Sequence, residues 1–121
     1  MDKKVGLEIR KQDGSAVVAF TAPSVTDTET IAAATEGIKA FIDESQPTGL
    51  IFDFGAVKFF SSHVLGLLLE IRAKLKEYDG EVVISAIDPQ LHRVFKITNL
   101  DQVFRFFPDK EAAIGAMSSE G

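Results

Sequence analysis

Apolar and polar positions alternate over residues 5–11, with Val5, Leu7 and Ile9 set against Gly6, Glu8 and Arg10. That pattern predicts a strand wet on one face. Asp13-Gly14 marks a hairpin turn, and residues 16–21 predict a second, more buried strand antiparallel to the first. Pro23 ends it, and Ser24-Val25-Thr26-Asp27 reads as an irregular loop. The period then becomes helical. Ile31, Ala34, Ile38, Phe41 and Ile42 fall on one face of a helix that starts near Thr28, with Thr28 or Thr30 as its cap, and stops at Gln46-Pro47. Gly37 in its middle costs about 1 kcal/mol of helix propensity against alanine and reads as a close-packing point.

Residues 50–54, Leu-Ile-Phe-Asp-Phe between Gly49 and Gly55, form a continuous apolar run that predicts a buried central strand. Ser61 and Ser62 stand where a helix cap belongs. Val64, Leu65, Leu68, Leu69, Arg72 and Leu75 follow at helical spacing, and Asp79-Gly80 closes the helix. Residues 81–87 predict another buried strand. Asp88 then caps a helix with Pro89 in its first turn and Leu91, Val94, Phe95 and Ile97 facing inward. After a break at Asn99-Leu100-Asp101, residues 103–106 predict a short strand. Pro108-Asp109-Lys110-Glu111 opens a last helix carrying Ala112, Ala113, Ile114 and Met117, and residues 118–121 are expected to fray. The order ββαβαβαβα implies an α/β domain: a mostly parallel mixed sheet with an antiparallel N-terminal hairpin and about four helices.

With 121 residues the chain suits one domain, 1–121, with a core over about 5–117. Ten phenylalanines and no tryptophan predict a core filled by phenyl rings. The net charge of −5 argues against a direct nucleic-acid partner, because phosphate binding needs a cationic surface. No apolar run approaches the roughly 20 residues that span a bilayer, and the basic start at Lys3-Lys4 precedes no apolar stretch of the kind a signal peptide needs. A cytoplasmic protein without a membrane partner is the expectation. The absence of cysteine removes disulfides, thiol chemistry and thiolate metal sites.

Catalytic signals are sparse. Ser61, Ser62 and His63 are adjacent, and neighbours at a helix start diverge rather than align for proton transfer. The nucleophile elbow, the phosphate loop and the dinucleotide fingerprint are all absent. His63 and His92 show no metal-ligand spacing. Asp53, near the end of the central strand, either bonds loop amides or shapes the neighbouring serine loop. No enzyme activity, metal or cofactor is expected. A phosphoryl group, by contrast, suits a helix-opening serine: it adds about −1.5 to −2 charges where the backbone amides and the helix dipole favour an anion. The local surface would change sign while the fold survived, and a partner packing an apolar or acidic face there would be expelled.

The segment Val57-x-Phe59-Phe60-Ser61-Ser62-His63-Val64-Leu65-Gly66-Leu67-Leu68-Leu69 resembles the STAS domains of bacterial anti-sigma factor antagonists. Residues 91–104 look like the same family's second hallmark, and the resemblance extends from Val5 to about Met117. It implies a STAS fold and a regulator whose serine is phosphorylated by an anti-sigma factor that is also a serine kinase of the histidine-kinase-like ATPase type. The dephosphorylated form binds that partner and frees the sigma factor, and a serine phosphatase resets the switch. Setting Leu65-Gly66 on the family pattern D-S-[ST]-G-L-G places Ser62 on the phosphorylated serine. Ser61 then falls on the usual Asp, His63 on the second hydroxyl residue and Val64 on the Gly. A register slipped by one residue makes Ser61 the acceptor.

Asp27 falls on the acidic residue of the family's partner-facing loop. The implied partner surface is therefore Asp27, Ser61, Ser62, His63, Val64 and Leu67, with Glu70, Arg72, Lys74, Lys76 and Glu77 on the outer face of the helix as a rim around exposed parts of Val64 and Leu67. The alternatives keep the fold but change the role. One is a scaffold or adaptor that is never phosphorylated, which the serine at position 61 favours. Another is a carrier of a small ligand in an apolar pocket under the serine loop. A hydrolase would require Ser62 and His92 to converge.

Overall fold

The computed structural model describes residues 6–120, and side chains as far as Met117. In chain order the elements are β1 (Leu7–Gln12), β2 (Ser15–Phe20), β3 (Ser24–Val25), α1 (Thr28–Ser45), β4 (Gly49–Asp53), β5 (Phe59–Phe60), α2 (Ser62–Lys76), β6 (Glu81–Ser85), α3 (Pro89–Ile97), a 3-10 turn (Leu100–Gln102), β7 (Arg105–Phe107) and α4 (Lys110–Glu120). Val5, placed in the first strand by its alternation, lies outside the described residues.

β1 and β2 pair antiparallel from Leu7↔Phe20 to Gln12↔Ser15, so the expected two-residue turn forms at Asp13-Gly14. Every other neighbour in the five-stranded sheet β1-β2-β4-β6-β7 is parallel. The continuous apolar run of β4 has a simple cause. Its strand lies at the centre of the sheet, and Leu50, Ile51 and Phe52 are all wholly buried because helices cover both faces. On one face Leu50 and Phe52 meet Ile31, Ala34, Ile38 and Ile42 of α1, Val64, Leu68 and Ile71 of α2, and Leu91 and Phe95 of α3. On the other face Val17, Ile51 and Val83 meet Ala113 of α4, flanked by Ile114 and Met117.

The phenylalanines form a chain of ring contacts through the first of these cores. Phe20 lies 5.5 Å from Phe54, Phe54 lies 5.8 Å from Phe60, Phe60 lies 6.1 Å from Phe95, and Phe95 lies 5.2 Å from Phe106. All four contacts are edge-on, the arrangement that sets a positive ring edge against a negative face and adds about 0.5–1.5 kcal/mol per pair beyond area burial.

Several local expectations are corrected. The cap of α1 is Asp27, not Thr28 or Thr30: its carboxylate accepts from the Thr30 amide at 2.8 Å and the Thr30 hydroxyl at 2.7 Å. Gly37 packs against nothing, since a Cβ there would find no atom within 4 Å. Ile97 points outward and is 73% exposed, because Leu91 and Phe95 already fill the inward face of a helix that ends at residue 97. After α2 the left-handed residue is Asp79, with φ 66°, while the Gly80 amide closes the turn on the Leu75 carbonyl at 2.8 Å. The last strand begins two residues late, after the 3-10 turn, with Phe104 buried before it. α4 continues to Glu120 through residues expected to fray. The segment read as a loop before α1 contributes β3, which pairs in parallel with β5 as a small second sheet.

Candidate functional site

The loops that leave β2 and β4 both emerge at the carboxyl ends of these parallel strands, the edge where open α/β sheets present their working groups. Here they pair with each other. The Lys58 and Phe59 amides both donate to the Pro23 carbonyl, at 2.7 and 3.1 Å, and the Ser61 amide donates to the Val25 carbonyl at 3.1 Å. Val25, Val57 and Phe60 pin this ribbon to the core. Asp53 sets the turn at the base of the loop: its carboxylate accepts from the Gly55 amide at 3.0 Å. It bonds a loop amide and makes no bond to either serine.

α2 starts at the end of this ribbon. Ser61 has the extended backbone of a cap residue, φ −88° and ψ 166°, yet its side chain makes no capping bond. Its Oγ is buried and has no hydrogen-bond partner among the described residues. By contrast Asp27, Asp88 and Asp109 each accept a first-turn amide of α1, α3 and α4 at 2.8 Å. In the first turn of α2 the Val64 amide donates to the Ser61 carbonyl at 3.0 Å, and the amides of Ser62 and His63 before it receive no side-chain cap. Ser62 is the first residue of the helix and is exposed, as is His63. Ser62, His63 and Gly66 face Thr28, Ala32 and Thr35 of α1 across a shallow groove of about 380 Å³ floored by Ile31 and Leu67.

The structure divides the residues named from the sequence. Asp27, Ser62 and His63 lie on the exposed surface at this end of the molecule. Val64 and Leu67 are core residues, 1% and 2% exposed, so the expected exposed parts are not there. Helical spacing turns Val64 away from Ser62 toward the sheet, while Leu67 lies at the floor of the groove that Ser62 and Gly66 line. Of the expected rim, Glu70 pairs with Lys39 of α1, and Lys74 pairs with Asp43 at 2.8 Å. These charges link α1 to α2. The Asp27 carboxyl is held below the usual aspartate range, first by the hydrogen bond from the Thr30 hydroxyl and then by that from the Thr30 amide. It stays anionic beside the groove.

His92 makes no hydrogen bond to the serines; its ring lies tilted against Phe106 with centroids 4.2 Å apart. The space under the serine loop is filled by Phe54, Val57, Phe60 and Phe95, each at most 8% exposed. Sequence reasoning missed Phe59, which is 60% exposed on β5 immediately before the buried Phe60. Its signal was the Phe-Phe pair itself, because successive residues of a strand point to opposite faces. Among the described residues no helix is long and apolar enough to cross a membrane, and no group of three or more His, Cys, Asp or Glu side chains could hold a metal.

Residues 7–113 match the STAS domain family, and the chain belongs to it. Among individual proteins, it is similar to an anti-sigma factor antagonist from Mycobacterium paratuberculosis, with 29% identity, 91% of each chain covered and a TM-score of 0.77. It shares its fold with the Bacillus protein SpoIIAA at 19% identity. The unphosphorylated form gives a TM-score of 0.72 over 93% of this chain and 97% of that one, and the phosphorylated form gives 0.73 over 92% and 98%. A Bordetella bronchiseptica protein, BtrV, proposed in its name to be an anti-sigma factor antagonist, is 27% identical over 70 residues. That match spans 58% of this chain and 60% of BtrV.

Proposed function

We propose that this chain is a non-enzymatic anti-sigma factor antagonist, switched by phosphorylation of Ser62. The observation that carries the reading is the contrast between the two serines. Ser62 is exposed at the first position of a helix whose amides have no side-chain cap, whereas the Ser61 hydroxyl is buried below the surface. A kinase reaches Ser62 without opening the fold. The dianion formed there meets a favourable helix terminus, so phosphorylation alters the surface and leaves the core in place. SpoIIAA, which resembles this chain to the same degree in both of its forms, supports a fold that tolerates the phosphate.

The partner in this reading is an anti-sigma factor that is also a serine kinase of the histidine-kinase-like ATPase type. The dephosphorylated chain sequesters it, and a serine phosphatase restores the dephosphorylated state. The protein works in the cytoplasm, as ligand and substrate rather than catalyst. Each anti-sigma factor kinase of the same genome, purified and supplied with ATP, is the reagent for the test, with the phosphate mapped by mass spectrometry. One phosphate per chain in the native protein and in Ser61→Ala, and none in Ser62→Ala, is the expected result. Phosphate on Ser61 would overturn the assignment. Full partner binding with neither serine modified would leave an adaptor, a role that the uncharged Ser61 favours.

A further inference from the structure

Phe59 is the one large aromatic side chain that the described residues leave mostly in water, at 60% exposure. Its neighbours fix it there. Val57 and Phe60, on either side, are 1% and 8% exposed and anchored in the core. Phe60 makes edge-on contacts with Phe54 and Phe95, at 5.8 and 6.1 Å. The amide of Phe59 itself is bonded to the Pro23 carbonyl at 3.1 Å. With the ribbon stapled at these points, the ring cannot turn inward without pulling Phe60 out of its cluster. Its backbone is ordered before any partner arrives, so docking pays little of the ordering cost that a flexible loop would pay. Ser62 lies three residues further on, and Asp27 two residues beyond Val25, the strand partner of Phe60.

From this arrangement we infer that Phe59 is the apolar anchor of the partner interface: it seats in an apolar cleft of the anti-sigma factor, whose rim carries hydrogen-bond donors facing the Asp27 carboxylate. The inference rests on the function proposed above and adds to it the means of switching. A cleft that closes around Phe59 also takes water away from Ser62. A hydroxyl tolerates that loss, but a phosphate with nearly two charges does not, because the helix terminus offsets only part of the cost of taking a dianion out of water. Aromatic anchors in desolvated pockets are the residues whose truncation costs interfaces most. Next to a switchable serine, such an anchor turns one charge into release of the whole partner.

The test titrates the purified anti-sigma factors of the same genome calorimetrically with native protein, Phe59→Ala and Ile97→Ala. The last variant truncates the other strongly exposed apolar residue, on α3. Phe59→Ala is expected to bind at least about 30-fold more weakly, with an unchanged melting temperature, while Ile97→Ala binds as the native protein does. Binding of Phe59→Ala within threefold of native overturns the anchor and leaves the proposed function standing. Failure of the native protein to bind any anti-sigma factor overturns the proposed function, and the anchor with it. Sedimentation gives a third outcome: a native dimer that Phe59→Ala dissolves would assign the ring to a second copy of this chain and overturn the inference.

Discussion

Gly37 and Gly66 sit inside α1 and α2, where glycine is disfavoured, yet a Cβ built at either would find no atom within 4 Å. Neither glycine is needed for packing, so replacing it with alanine removes unfolded-chain entropy at no steric cost. Each substitution should stabilise the fold by about 0.5–1 kcal/mol. At about 2.1 cal/mol/K per residue, a chain of 121 residues gains roughly 0.25 kcal/mol/K of unfolding entropy, so each gain appears as a rise of about 2–4 °C in melting temperature. The two sites differ in position. Gly66 lines the groove beside Ser62 and His63, and Gly37 does not. Calorimetric melting of each variant, paired with titration against the anti-sigma factor, reads both properties. Gly37→Ala should gain stability and bind normally, while Gly66→Ala should gain stability and bind more weakly. A loss of stability in either variant would refute the open-space argument. Normal binding by Gly66→Ala would remove the groove from the partner surface.

Ser85 is wholly buried on β6 and its hydroxyl has no hydrogen-bond partner among the described residues. Ser85→Ala should therefore raise stability by about 1 kcal/mol in a urea titration, and a loss of that size would reveal a bond to the hydroxyl. Tyr78 donates its phenolic proton to the Pro47 carbonyl at 2.8 Å, and Tyr78→Phe should cost about 0.5–1.5 kcal/mol at neutral pH. Burial raises the Tyr78 pKa above its ordinary value of 10.0, so its contribution is complete below that value and is lost as pH rises through the raised one. Alkaline melts of Tyr78→Phe should fall less steeply above pH 10 than those of the native protein. Asp27 has the opposite sign. Its pKa is depressed below 3.8, so its contribution is present above that value and is lost as pH falls through the lower one. Asp27→Asn should flatten that acid limb.

Patterning alone determined the main frame of this protein. Local period separates strand from helix, and alternation of the two types demands parallel pairing, so the hairpin, the central strand and the order of the major elements were legible along the chain. The helix start at the serines was legible too, because the helical period begins just after them, although the cap expected of a serine there does not form. What the chain could not show was which atoms of those elements compete for the same space. Val64 and Leu67 carried an apolar label that suited either an interface or a core, and only the packing of α2 on the sheet buried them. Ser61 and Ser62 are chemically equal as text. The ribbon that bonds the Ser61 amide to Val25 leaves one hydroxyl buried and the other in water. That ribbon pairs residues about 35 positions apart, and it holds Phe59 exposed three residues before the exposed Ser62. Periodicity reports which face of an element is apolar; contact between distant loops decides what the remaining face presents.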